Sequence, residues 1–187
     1  MTRWLLAHWV AAALCMGLFL IALMPVLAAC WTAALLLVFA QLPIYMLHQV
    51  EEHTGDRFRL FVNSVMFGGR EALTPESVLV INLPGVWGVN LLSLYAASFL
   101  GIGWGLAGIY LTLVNGVSHI GATLGLRRYN PGLWTSLALF LPVGGLALYV
   151  VNAQPGVTWL HHAAGAGVAI AIHVAIVVYV QRTPGKG

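Results

Sequence analysis

The sequence predicts an all-α integral membrane bundle of six transmembrane helices, and three observations lead there. Hydrophobic residues make up 60% of the 187 positions and charged ones only 7%, against about 25% charged in soluble domains. The mean hydropathy is +0.91, and the apolar residues fall into stretches near the roughly 20 needed to cross the hydrocarbon core. Taken as alternating spans, these stretches place every Lys and Arg on one side. A single transmembrane domain covering 1–187 is the economical reading.

The spans read, in order, as about 4–23, 26–48, 78–98, 101–124, 133–152 and 157–180. The first is separated from the second by "MP" at 24–25. "VLAAC", ending at Cys30, resembles a bacterial lipoprotein cleavage site, but the apolar run before it is long for a signal peptide. The residues after it continue into a span, so an intact first helix is expected. Cys15 and Cys30 both lie in apolar sequence and form neither a disulfide framework nor a metal-binding pair. The segment 49–77 is the one sizeable polar stretch. Within it Phe58, Phe61, Val62, Val65 and Met66 recur at helical spacing, which suggests an interfacial amphipathic helix after the second span. Such a helix would act as a lid; a plain connecting loop is the alternative. "GIGWGLAG" at 101–108 opens the fourth span with small residues suited to close helix packing. It is no phosphate loop, because no strand precedes it.

Charge placement orients the bundle. With the N-terminus in the cytoplasm, Arg3, Arg57, Arg59, Arg70, Arg127, Arg128, Arg182 and Lys186 are all inside. The opposite loops, including "NAQPG" at 152–156, carry no basic residue. A multi-pass protein of the cell inner membrane with both termini cytoplasmic is therefore expected. The net charge of +3 reports this orientation and gives no reason to invoke nucleic acid. The lipid bilayer is the partner that composition implies; the oligomeric state is not encoded in any readable feature.

Polar residues share one depth. Three of the five acidic residues fall in "LHQVEEHTGD" at 47–56. The second, fourth and sixth spans run in the same direction, so His48, His119 and His173 reach comparable levels at 1.5 Å per residue. Asn115 lies one turn from His119, and Asn82 lies a turn into the third span. A charged side chain at a helix centre costs about 2.5–3.5 kcal/mol on insertion scales, so groups gathered at one depth suggest that they meet. His48 and Glu52, at i and i+4, share a helix face and can ligate one divalent metal ion, zinc or iron. His119 and His173 would complete the ligand set, with Glu51 beside it as general base and Asn115 and Asn82 in support. Glu51 and Glu52 as snorkelling residues at a helix end are the alternative. His8, His161 and His162 lie near span ends, and His162 stands about 16 Å along the axis from His173.

With these motifs the sequence resembles the HXXEE membrane proteins of bacteria and archaea. "HQVEE" at 48–52, "NGVSH" at 115–119, His173 and "RRYNPGLWTS" at 127–136 carry the resemblance, over about 26–180. It implies that His48, Glu51, Glu52, Asn115, His119 and His173 belong to one site, and it names no reaction.

The expected function is that of a metal-dependent membrane enzyme, a hydrolase acting on a lipid-like or apolar small molecule from the cytoplasmic leaflet. A non-haem iron oxidoreductase is the runner-up, since imidazole and carboxylate suit iron as well as zinc. Two other classes stay open: a carrier of protons or divalent cations, and a haem protein. The orientation can be tested directly. In a Cys15→Ser/Cys30→Ser background, an impermeant thiol reagent should reach Gln154→Cys from outside and Arg57→Cys only from the cytoplasmic side. Labelling of Arg57→Cys from outside would reverse the topology.

Overall fold

The computed structural model describes residues 2–182, so Lys186 lies outside the described residues. Helices long and apolar enough to span a membrane number six, and no strand occurs among the described residues. We label them α1 (Thr2–Ala28), α2 (Ala33–His53), α3 (Pro75–Phe99), α4 (Ile102–Leu126), α5 (Leu133–Asn152) and α6 (Trp159–Arg182).

The first turn lies later than the sequence suggests. α1 runs through Pro25 to Ala28, and Cys30 sits in the turn that follows. A proline in the last turn of a helix forfeits one hydrogen bond but fits helical φ, so it need not end the helix. α2 begins only at Ala33, where the Thr32 hydroxyl accepts from the Leu35 amide at 3.2 Å. This shift of about a turn or more carries the helix past His48 to His53. Glu51 and Glu52 therefore fall in the last helical turn of α2, with Glu52 buried.

α2 is the centre of the bundle. Its span is 61% buried, against 11–33% for the other five, and α1, α3, α4 and α5 all pack on it. α6 lies outside α4. The glycines at the start of α4 pack as expected: a Cβ on Gly105 would come within 2.5 Å of Val38 Cγ2. α4 and α6 touch backbone to backbone, because a Cβ on Gly165 would stand 2.9 Å from the Leu106 carbonyl carbon.

Between α2 and α3 the chain reverses at Gly55 and Asp56, both at positive φ. It then forms a short helix, Arg57–Phe61, and a π turn, Val62–Met66. The amphipathic helix expected here is thus brief, yet the segment is firmly held. Arg59 bonds Asp56 at 2.7 Å and Glu71 at 3.0 Å. The Asn63 side chain accepts from the amides of Ala72 and Leu73 and donates to the Leu73 carbonyl. Val62, Ala72 and Leu73 pack with Trp9, Val78 and Val180, so the segment plugs one end of the bundle.

Two further π stretches lie at the same level, Ile81–Trp87 in α3 and Ser136–Phe140 in α5. Pro84 has no amide hydrogen and disrupts regular helix in the first. Such widened turns re-aim side chains and frequently accompany functional sites. Alternation of six spans puts all the described basic residues at the end where the plug lies. Gly165→Leu should force α6 away from α4 at a cost of about 1–3 kcal/mol, the usual penalty of overpacking. Denaturant unfolding in detergent would measure it; an unchanged midpoint would contradict the close crossing.

Candidate metal centre

The structure brings three buried side chains to one point: His48 and Glu52 on α2, and His119 on α4. One helical turn separates His48 from Glu52, so both project inward from the central helix. His48 Nε2 lies 3.4 Å from Glu52 Oε2, and His119 Nε2 lies 3.1 Å from Glu52 Oε1. All three candidate ligand atoms fall within 4.8 Å of one another. Two ligands bound to one tetrahedral zinc at ordinary bond lengths lie about 3.4 Å apart. The two histidine–glutamate pairs stand near that spacing, while ligand atoms as far apart as 4.8 Å would have to draw together to share one ion.

The far side of each imidazole decides its tautomer. Thr135 Oγ1 donates its hydrogen to Glu51 Oε2 at 2.5 Å, so it accepts from His48 Nδ1 at 2.7 Å. Asn130 donates through Nδ2 to the His119 carbonyl at 3.0 Å, and its Oδ1 accepts from His119 Nδ1 at 2.8 Å. Both rings therefore carry hydrogen on Nδ1 and turn Nε2 toward the Glu52 carboxylate. Two bare Nε2 lone pairs would repel the carboxylate, so a shared positive charge belongs among them, either a proton on Nε2 that pairs with Glu52 or a metal ion. An outer hydrogen bond that fixes ring and tautomer is also the usual support of a metal-bound histidine. The residues present fit a divalent ion. Asn115 Nδ2 stands 3.2 Å from His48 Nε2, at the edge of the same point.

Gly132 permits this packing. At φ +105° its backbone passes so close that a Cβ would lie 2.6 Å from His119 Cε1 and 2.8 Å from His48 Cε1. Phe140, fully buried, covers the His48 ring at 4.2 Å between centroids.

Glu51 is placed differently from the sequence reading. Successive helical residues diverge by about 100°, and its carboxylate points at the start of α5. There it accepts from Tyr129 Oη at 2.8 Å, Trp134 N at 3.1 Å, Thr135 N at 2.7 Å and Thr135 Oγ1. Free amides at a helix N-terminus are natural partners of an anion. A carboxylate with four donors is poorly disposed to act as a base; it reaches the centre through Thr135 and His48. Partial desolvation and the hydrogen bond to Glu51 push the Tyr129 phenol up to about 12, so it remains a donor at neutral pH.

His173 also stands apart from the expected ligand set, because Asn115 comes between. Its Nε2 is 3.4 Å from Asn115 Oδ1, while Nδ1 donates to the Ala169 carbonyl at 2.8 Å. Asn82 supports the opposite side. It accepts from Gln49 Nε2 at 2.9 Å and donates to Val78 O, and its Nδ2 lies 3.2 Å from His53 Nε2. His53 Nε2 is 3.5 Å from Glu52 Oε2. Trp87 Nε1 closes this arm on Gln49 Oε1 at 2.7 Å. Sequence reasoning missed Gln49, Asn130 and Thr135, and left His53 and Tyr129 unassigned. Their signals were present but weak: Gln49 lies inside "HQVEE", and the others occupy or flank "RRYNPGLWTS" and "EEH". His8 binds its own helix at Trp4 O, and His162 pairs with Tyr110 and Asn152 at the other end of the bundle.

A family model described as "Protein of unknown function with HXXEE motif" matches residues 39–147. The chain belongs to this family. No curated protein and no solved structure matches it. The HXXEE residues are His48, Glu51 and Glu52, and the matched stretch also holds His119, Asn130, Gly132 and Thr135. His173 lies beyond it.

A cavity of about 340 Å³ adjoins the HXXEE residues. Glu52, His119, Asn115 and His173 contribute to its wall, while Phe58, Phe61, Ile176 and Val180 are among its apolar lining. Because Glu51 holds Thr135, and Thr135 orients His48, Glu51→Gln should weaken metal binding by about 10–100-fold, the usual cost of losing outer support. Competition with a chelating indicator would measure it. An affinity equal to that of the unaltered protein would show that the Thr135 link orients nothing.

Proposed function

We propose that this protein is a metal-dependent membrane enzyme, a hydrolase acting on a lipid-like or apolar substrate taken from the cytoplasmic leaflet. The observation that carries this reading is the convergence of His48 Nε2, His119 Nε2 and the Glu52 carboxylate beside an apolar cavity. His48, Glu52 and His119 would hold the ion. Two histidines and a carboxylate are a known catalytic zinc set, and they suit iron as well. When bound, such an ion polarises a carbonyl or lowers the pKa of water.

The chain's own residues supply the remainder. Asn115 reaches from the cavity wall to His48 and can orient a substrate oxygen. His173 replaces Glu51 as the group placed to accept a proton: Nδ1 is committed to Ala169, which leaves Nε2 at the cavity wall. The Phe58 ring lies tilted against His119, with centroids 5.6 Å apart, and would exclude water from that side. Glu51 and Thr135 position His48; Asn130 positions His119. The basic end, with the plug, would face the cytoplasm.

The carrier reading is less well supported. Between the centre and the Tyr110–His162–Asn152 group at the other end lie Ile44, Leu111, Phe140 and Ala169, all buried and apolar. An ion path would have to cross that layer.

Elemental analysis of protein purified without added metal is the direct test. About one zinc or iron per chain is expected, falling to background in His119→Ala. Loss of a metal linked to folding should also lower thermal stability in that variant. Equal trace metal in both proteins would sink the enzyme reading and favour a proton-linked network.

A further inference from the structure

We infer that the cavity is filled from within the bilayer, through a cleft between α4 and α6, by a single-chain acyl amphiphile whose polar end stops at Asn115 and His173. This rests on the enzyme reading for its chemistry, though not for its geometry.

The two helices run in parallel and are packed closely over their first turns, where a Cβ on Gly103 would come within 2.7 Å of His161. At Gly165 the backbone of α6 lies against Leu106 and Ala107 of α4. The register continues for two turns, since His173 reaches Asn115 with nearly the same residue offset. Beyond that pair the contact is replaced by space: Ser118 and Ala122 of α4 and Ile176, Val177 and Val180 of α6 all line the cavity. Toward the basic end these side chains of the two helices face the cavity. Ser118 and Val177 are exposed, and on a bundle spanning a bilayer that exposure faces lipid.

Entry from water is obstructed. Phe58, Phe61, Val62, Phe67 and Leu73 close the basic end of the cavity. Asn63 and Arg59 tie that segment down through the bonds described above. What remains open is the side.

The lining distinguishes one class of occupant. Most polar side chains gather at the wall that carries Glu52, His119, Asn115 and His173; aliphatic and aromatic side chains make up most of the rest, with Ser118 at the side and Gln181 at the basic end. A molecule with polar groups at both ends would find few partners for the second, at a desolvation cost. The volume of about 340 Å³ sits at the low end of the 300–1,000 Å³ common for ligand pockets. It suits one hydrocarbon chain better than the paired chains of a bilayer phospholipid.

The test uses the full chain in vesicles of phosphatidylethanolamine and phosphatidylglycerol, with palmitic acid carrying a diazirine near its methyl end as the probe. After illumination, mass spectrometry should find adducts concentrated on Ile176, Val177 and Val180 and on Phe61 or Met66. Ala122→Trp or Val177→Trp should plug the mouth and reduce those adducts several-fold, whereas Val174→Trp, on the exposed face of α6, should not. Two plugging variants are used so that failure of one to fold does not decide the result. Adducts spread evenly over exposed faces such as Leu18 and Phe19 of α1, or unaffected by both plugs, would overturn the inference. Metal content is measured on the same samples. Protein that labels as expected but holds no metal would sink the enzyme reading and leave the cleft standing; metal-loaded protein that fails to label would do the reverse.

Discussion

One carboxylate organises this protein. Glu52 is 5% exposed at the heart of a bundle whose surroundings are hydrocarbon. A charge in such a place persists only with close partners, because burying an unpaired ion costs far more than the margin by which proteins are stable. Glu52 has three imidazoles within 3.5 Å, from His48, His53 and His119. Removing any one would leave the others facing an incompletely compensated charge. The demand for partners therefore falls on several helices at once.

How those partners are held explains much of the architecture. His119 brings in α4 and, through Asn130, the loop before α5. His48 brings in α5 through Thr135, whose position Glu51 secures. His53 brings in α3 through Asn82, Gln49 and Trp87. The widened turns in α3 and α5 occur beside these contacts, where side chains must leave regular helical directions. Glycine at 132 is required for the same reason, since the two histidines and the loop backbone compete for one small volume. The polar arms do not rely on the hydrophobic effect, which is absent between helices in lipid. They replace it with hydrogen bonds whose alternative is an unsatisfied group in hydrocarbon.

The sequence made the helix count, the shared depth of His48, His119 and Glu52, and the small-residue face at the start of α4 legible. Each follows from rise per residue, hydropathy or i, i+4 spacing, and these are local properties. The boundary between α1 and α2 was misplaced because Pro25 was read as a stop, though in a final turn it costs little. The i, i+4 spacing picked out Glu52 as the partner of His48, but the task of Glu51 was not readable. Adjacent residues on a helix point about 100° apart, and what Glu51 meets depends on where the irregular loop at 127–132 runs. That loop has no period to extrapolate. Depth placed His173 at the right level but could not show Asn115 standing between it and His48. Neutral polar residues such as Gln49 and Thr135 carry little signal alone, because a serine, threonine or glutamine in a membrane helix often bonds only its own backbone.

The adjacency of two acids in such an apolar chain follows from these constraints. A single turn of α2 has to address several neighbours. His48 and Glu52 share the face toward α4 and the cavity, Gln49 meets α3, and Glu51 meets the N-terminus of α5. Placing one acid on each of two faces lets the same turn join a candidate cation site and receive the free amides of another helix. Their separate partners keep the two charges from competing: Glu52 is matched by imidazoles, Glu51 by backbone and hydroxyl donors. A lone acid at either position could satisfy one neighbour only. The His-x-x-Glu-Glu pattern is thus the shortest segment of helix that joins a candidate metal centre to the element that orients its first histidine.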